Sequence, residues 1–298
     1  MSDFVAKLLR IAVPYVFAAL GGSFSERAGV ITLGLEGYLL LGAFGATVAA
    51  DLSGAAAAGY AAGAVAGGVA ALLVAALVLP LCADQVTTGV ALNLFADGLT
   101  RFALKALYDS SSNSPRVEAF ASDGGAGLGA TLAHPLVIAM LVAVPLAHLA
   151  MQRTTFGLRV RAVGEHPEAA ASLGVSPLRV RLAAVVLGGL LAGIGGAFLA
   201  ADQAKFVDGM SRGRGYIALA AIIAGGWRPL AAAGAAMLFA LAVTVQYTLS
   251  SSYVQIPDWA TQMLPYGLAL FALVLRGRSS AAKPPSSLGS PLGKRELA

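Results

Sequence analysis

The chain has 298 residues, of which 58% are hydrophobic and only 12% charged, with a mean hydropathy of +0.78. A soluble domain carries about 25% charged residues, so this composition excludes a water-facing surface and with it a soluble enzyme. The formal net charge is +5, but the arginines lie in loops between apolar runs, as the cytoplasmic side of a bilayer selects, and nucleic-acid binding is not expected.

The first apolar run covers residues 11–20, extendable from Phe4. Its charged start is not followed by a cleavage site and a soluble domain, so it reads as a retained helix. Further runs lie at 28–50, 52–81, 86–107, 133–150, 182–201, 216–226, 230–245 and 261–275. About 20 helical residues cross a hydrocarbon core of about 30 Å. Lipid satisfies no backbone polar group, and these runs are continuous rather than alternating, which means helices and not a barrel. The fold class is all-α: a polytopic transmembrane helical bundle with broken or half helices and about 8–10 membrane segments. One membrane domain is expected over 1–278, and the Pro-, Ser- and Gly-rich tail over 279–298 reads as disordered.

Within 28–50, Glu36 lies between Gly34 and Gly37. A carboxylate in an apolar run is costly unless it faces protein, water or a partner. It either bonds neighbouring backbone and holds a break, or it lines a substrate path. In 86–107, Asn93, Asp97 and Thr100 are four and three residues apart and share a helical face. That stripe either lines a conduit or joins two helices. Gly54, Gly59, Gly63, Gly67 and Gly68, and again Gly188, Gly189, Gly193, Gly195 and Gly196, predict close helix packing in lipid. Cys82 is the only cysteine, so neither a disulfide nor a multi-cysteine metal site is expected, and no cofactor.

The loop after Tyr108 carries Asp109, Arg116, Glu118 and Asp123, whereas the loop 151–181 carries Arg153, Arg159, Arg161, Arg179 and Arg181. The second belongs in the cytoplasm and the first outside. The tail, with Arg276, Arg278, Lys283, Lys294 and Arg295, also counts to the cytoplasm. Counting backward through complete spans places the N-terminus outside, against Lys7 and Arg10. Either the charge rule fails there or one early segment does not cross fully.

Inside the basic loop, Pro167 suits the first position of a helix and Gly174 its stop, so Glu168 to Leu173 form a short helix. Ala169, Ala170 and Leu173 then form a small apolar face flanked by arginines, suited to docking on a soluble partner. The run 216–226 is only about 16 Å long at about 1.5 Å per residue, and Pro229 blocks its continuation. It reads as a half-helix, with Trp227 as an interfacial or packing residue.

Four stretches resemble a known family: ERAGVITLGLEGYLLLGAFGA (26–46), TTGVALNLFADGLT (87–100), TTFGLRVRAVGEHPEAAASLGVSPLRVR (154–181) and GMSRGRGYIALAAIIAGGWRP (209–229). The family is that of the inner-membrane permease subunits of bacterial ATP-binding-cassette (ABC) importers of the branched-chain amino acid, ribose and nucleoside class. The resemblance implies a multi-pass protein of the bacterial inner membrane that pairs with a second permease, itself or a paralogue. It also implies docking of cytoplasmic ABC ATPase subunits and delivery of solute by an extracytoplasmic binding protein. The sequence has no G-x-x-x-x-G-K-[ST] phosphate loop, so ATP hydrolysis is expected from a separate subunit, and the chain itself is read as a transport subunit and not an enzyme.

By the same resemblance, the ATPase-coupling element comprises Gly164, Glu165, His166, Pro167, Glu168, Ala169, Ala170, Leu173 and Gly174. In such a permease the path-lining alternative for the polar residues above makes Glu36, Asn93, Asp97 and Thr100 the candidates for the translocation path. The GLEG and IALAAII-GGW elements look most like the nucleoside or simple-sugar branch. His166, Val30, Thr32 and Leu33 depart from the usual pattern near the inferred path. Nucleosides are the first expectation and simple sugars the alternative. An ion-coupled secondary transporter would carry more intramembrane ionisable groups than Glu36 and Asp97. A membrane enzyme would need a catalytic constellation, and His134, His148 and His166 are scattered.

Overall fold

Each apolar run from the first to the eighth becomes a helix whose ends are set by local chemistry. A computed structural model describes residues 2–121, 127–250 and 283–291, with Met263, Gly267 and Val274. The order is α1 (Ser2–Arg27), α2 (Leu35–Ser53), α3 (Ala56–Val78), α4 (Gln85–Tyr108), α5 (Glu118–Ala121), α6 (Leu128–Ala133), α7 (Pro135–Arg153), α8 (Thr155–Glu165), α9 (Pro167–Ser172), α10 (Pro177–Gln203), α11 (Arg214–Ala224) and α12 (Pro229–Ser250). The run 261–275, apart from Met263, Gly267 and Val274, lies outside the described residues, as do Asp123 and tail residues 279–282 and 292–298.

Six helices, α1, α2, α3, α7, α10 and α12, are long and apolar enough to cross a membrane. By length alone α4 could span as well, at about 36 Å, although it carries Asp97, Arg101 and Lys105. The basic loop is cut into pieces by capping side chains. Thr154 accepts from the Gly157 N–H and separates α7 from α8, while Ser176 accepts from the Arg179 N–H ahead of Pro177 at the start of α10. Such caps satisfy N–H groups that a helix start leaves without an internal partner.

Helix α10 is the central post, packed by α1, α2 and α3. The glycines explain how closely. A Cβ at Gly67 would lie 2.4 Å from the Gly189 carbonyl oxygen, and one at Gly193 would lie 2.3 Å from that of Gly63. Here backbone packs directly on backbone, which supplies the dispersion contact that lipid does not otherwise drive. The outward faces are apolar: Val65, Val69 and Leu72 on α3, and Ile138, Leu141 and Val142 on α7, are all exposed. In water these would be liabilities, whereas against acyl chains they match their solvent.

Helices α1 and α10 run antiparallel. Near the start of α1, Arg10 pairs with Asp202 at the end of α10, while Ser25 near the end of α1 donates to the Ala184 carbonyl. The N-terminus therefore lies on the face opposite the 151–181 loop, as the count through complete spans requires. Pairing with Asp202 offsets the charge of Arg10 at this end, while Lys7 stays exposed.

The tail stretch 283–291, which composition reads as part of a disordered segment, is instead seated on the loop face. The Ser287 N–H and hydroxyl both donate to the Gly164 carbonyl, at 3.0 and 2.8 Å, and the Gly289 N–H donates to Gly29. Pro285 and Ser287 are buried. Composition measures how much apolar area a segment could bury by itself, not a surface already waiting for it.

Candidate functional site

The interruptions in the helices meet at one junction. Residues 28–34 form a non-helical link between α1 and α2, and α11 begins at Gly213, which has no side chain to cap it and sits at φ 79°. Glu36, in the first turn of α2, caps α11 from outside. Its Oε1 accepts from the Gly213 N–H and its Oε2 from the Gly215 N–H, both at 2.7 Å. A carboxylate at a helix start faces free N–H groups and the positive end of the helix dipole. Gly215 is needed because a Cβ there would lie 2.4 Å from the Glu36 nitrogen.

Asn93 ties α4 to the same junction. Its Oδ1 accepts from the Gly37 N–H at 2.8 Å, and its Nδ2 donates to the Leu33 carbonyl at 2.9 Å and to the Tyr216 hydroxyl at 3.0 Å. Glu36 and Asn93 are thus brought together through α11, and Tyr216 joins them with its side half open. Asp97 and Thr100 are not part of this junction. Asp97 pairs with Arg101, which also holds Asp208, and the buried Thr100 hydroxyl bonds back to the Ala96 carbonyl within α4. A shared helical face does not imply a shared partner: Asn93 and Thr100 both lie on the buried stripe of α4, but only Asn93 reaches the α2 and α11 backbone and side chains of the junction, while Asp97 sits at the half-exposed edge.

Glu26 was missed by the sequence reading, although it opens one of the motif stretches. It is 2% exposed, receives the Trp227 indole N–H at 2.7 Å on Oε2, and receives the Thr32 hydroxyl at 3.2 Å on Oε1. Trp227 is therefore a buried hydrogen-bond donor that ties the α11–α12 corner to the end of α1. The signal available was that Glu26 and Trp227 each sit beside a glycine-containing helix break, at ERAG and GGWR.

On the loop face, α8 and α9 form a corner. Pro167 starts α9 and Gly174, at φ 80°, follows its end, as expected. Leu173 is 85% exposed, and Glu168, Ala169 and His166 are also exposed. Ala170, however, is only 4% exposed. It faces α8 and α10, against which α9 packs, so the outward apolar face consists of Ala169 and Leu173. Gly164 and Glu165 are covered in part by the tail: Ser286 donates to Glu165, and Arg27 pairs with Glu165 at 3.2 Å. Arg181 does not flank the surface at all. It is 1% exposed and donates to the carbonyls of Ala28 and Ser290 and to the Ser287 hydroxyl.

A polytopic bundle whose broken helices are held together by buried polar groups, with a short helix presented at one face, is an architecture suited to a membrane transport permease. The chain belongs to the family described as branched-chain amino acid transport system / permease component, whose model matches residues 4–273. It is 35% identical to the guanosine ABC transporter permease protein NupQ of Bacillus subtilis, over 99% of this chain and 98% of that one. It is 34% identical to the nucleoside ABC transporter permease protein NupC of Lactococcus lactis, over 94% of both. A solved ABC transporter in an inward-facing conformation shares the fold, with a TM-score of 0.53 at 16% identity over 91% of this chain and 85% of that one. The protein is a multi-pass ABC permease of the bacterial plasma membrane.

Proposed function

We propose that this permease conducts nucleosides inward and is driven by a separate cytoplasmic ATPase subunit. The observation that carries the substrate is the nearly end-to-end similarity to permeases for guanosine and for nucleosides. The ATPase lands on the corner of α8 and α9, where Ala169 and Leu173 present the outward face and residues 164–174 form the coupling element. Glu36 and Asn93 shape the path by holding α11 in place, with Tyr216 as the group of that junction open to a solute. Asp97 and Thr100 border the path only through α4.

A second permease completes the path, and a paralogue suits that role. Bacillus subtilis also holds NupP and Lactococcus lactis NupB, each a further relative of this chain. An extracytoplasmic binding protein delivers the solute. ATP-driven closure of the ATPase pushes on α9, and the push reaches α1 and α10 through Glu165–Arg27 and through Arg181. Simple sugars are the second reading, favoured by 28% identity to the glucose ABC transporter permease protein TsgB13 of Haloferax volcanii over 72% of this chain.

The test is uptake of labelled guanosine into vesicles holding the chain with its ATPase, paralogue and binding protein. ATP-dependent uptake that unlabelled nucleosides suppress and glucose does not supports the proposal. Suppression by glucose alone moves it to the sugar reading. Uptake that follows an ion gradient without ATP overturns the coupling.

A further inference from the structure

A cavity of about 650 Å³ opens on the face that carries α8 and α9, lined by the ends of α1 and α7, by α8, by the corner before α12 and by the first residue of the docked tail. Its charged lining is one-sided: Arg27, Arg161, Arg228 and Lys283 surround the single carboxylate of Glu165. That carboxylate is already engaged by Arg27 and Ser286. Among the described residues Arg161 donates to the Gln152 amide oxygen and the Gly157 carbonyl. Among the described residues no carboxylate pairs with Arg161, Arg228 or Lys283. The wall also includes His148, whose buried Nδ1 has no hydrogen-bond partner among the described residues.

Like charges gathered around one half-open cavity repel each other, and an anion placed among them relieves that repulsion. Guanidinium groups match phosphate oxygens with paired hydrogen bonds. The volume falls within the range of small-ligand pockets, about 300–1,000 Å³. We propose that this cavity binds a phosphate-bearing anion. Its place at the ends of the spanning helices α1 and α7, where basic pockets meet headgroups, favours an anionic phospholipid as the source. Free inorganic phosphate shares the chemistry.

The experiment uses the purified full chain in mixed micelles and follows retained lipid by native mass spectrometry. Phosphatidylglycerol should be retained over phosphatidylcholine. The double variant Arg228→Gln with Lys283→Gln, both exposed positions, should bind it about 30-fold more weakly, the equivalent of about 1 kcal/mol per cation at 1.4 kcal/mol per decade. Arg179→Gln, an exposed cation outside the cavity, should bind it as the parent chain does. Inorganic phosphate that raises the melting temperature in lipid-free detergent, with that rise lost in the double variant, would assign the site to a soluble anion instead. Equal retention of both lipids with no effect of phosphate overturns the proposal, and so does a loss in Arg179→Gln equal to that in the double variant.

Discussion

Replacing Glu36 with glutamine separates two roles for this carboxylate, holding α11 in place or touching the solute. The side chain keeps its shape, but one of its two acceptors becomes an NH2 group facing an N–H donor. One of the two 2.7 Å bonds to Gly213 and Gly215 is lost, and one N–H is left unsatisfied. A hydrogen bond to a charged group contributes about 1.5–3 kcal/mol, and at about 2–4 °C per kcal/mol for a chain of this size the melting temperature should fall by about 3–12 °C. The assay is thermal unfolding in detergent, run beside guanosine uptake by the assembled transporter. Maximal uptake should fall with stability while KM stays near its original value, because the defect is a poorly seated half-helix. A variant that melts like the parent chain but has a changed KM would refute this reasoning and make Glu36 a contact for the solute.

Three further substitutions test the fold and the docking surface. Gly193→Ala places a Cβ 2.3 Å from the Gly63 carbonyl oxygen and should cost about 1–3 kcal/mol through overpacking. Gly234→Ala, with nothing within 4 Å of its Cβ, should be neutral or stabilising by up to about 1 kcal/mol; paired melting curves check both. Ala169→Arg should leave folding intact and abolish co-purification of the ATPase, whereas Ala170→Arg should lower stability itself, because Ala170 is buried; size-exclusion profiles distinguish the two effects. At the start of α4, hydrogen bonds from the Thr87 side chain, and next from its backbone N–H, hold the Asp84 carboxyl below its usual range. The folded pKa is thus the lower one, so the stabilisation is present above the unfolded value of 3.8 and is lost as pH falls through the folded value. Asp84→Ala should therefore melt below the parent chain at neutral pH, and the gap should close in strong acid.

Punctuation was legible in the sequence wherever one residue decides it. Pro167 and Gly174 bracket α9, and the glycines of α3 and α10 mark where backbones touch; Pro229, expected to stop the half-helix, instead opens α12, since α11 has already ended at Ala224 with Gly225 as its cap. Which groups meet across the bundle was not legible. Glu36 and Gly213 are 177 residues apart, and no local pattern tells a carboxylate whether a helix start awaits it. The same limit explains Arg181. In a basic loop it reads as one more surface cation, yet its acceptors, Ser287 and Ser290, come from a tail whose composition gives no hint of a seat. On α9 the period of 3.6 placed Ala169 and Ala170 on one face, but so short a helix has little face to share, and packing against α8 and α10 covers Ala170 while Ala169 stays exposed.

The seat of 283–291 also bears on how the protein is made. Ser287 and Ser290 are synthesised 106 and 109 residues after Arg181, whose side chain they complete. At about 5–20 residues per second, the interval is about 5–20 seconds, during which the Arg181 guanidinium can meet the Ala28 carbonyl but neither serine. Closure of this corner therefore reports that translation has passed residue 290. A chain cut short before residue 283 lacks the two serine contacts that join Arg181 to the tail, and so lacks this link between the start of α10 and the C-terminal stretch.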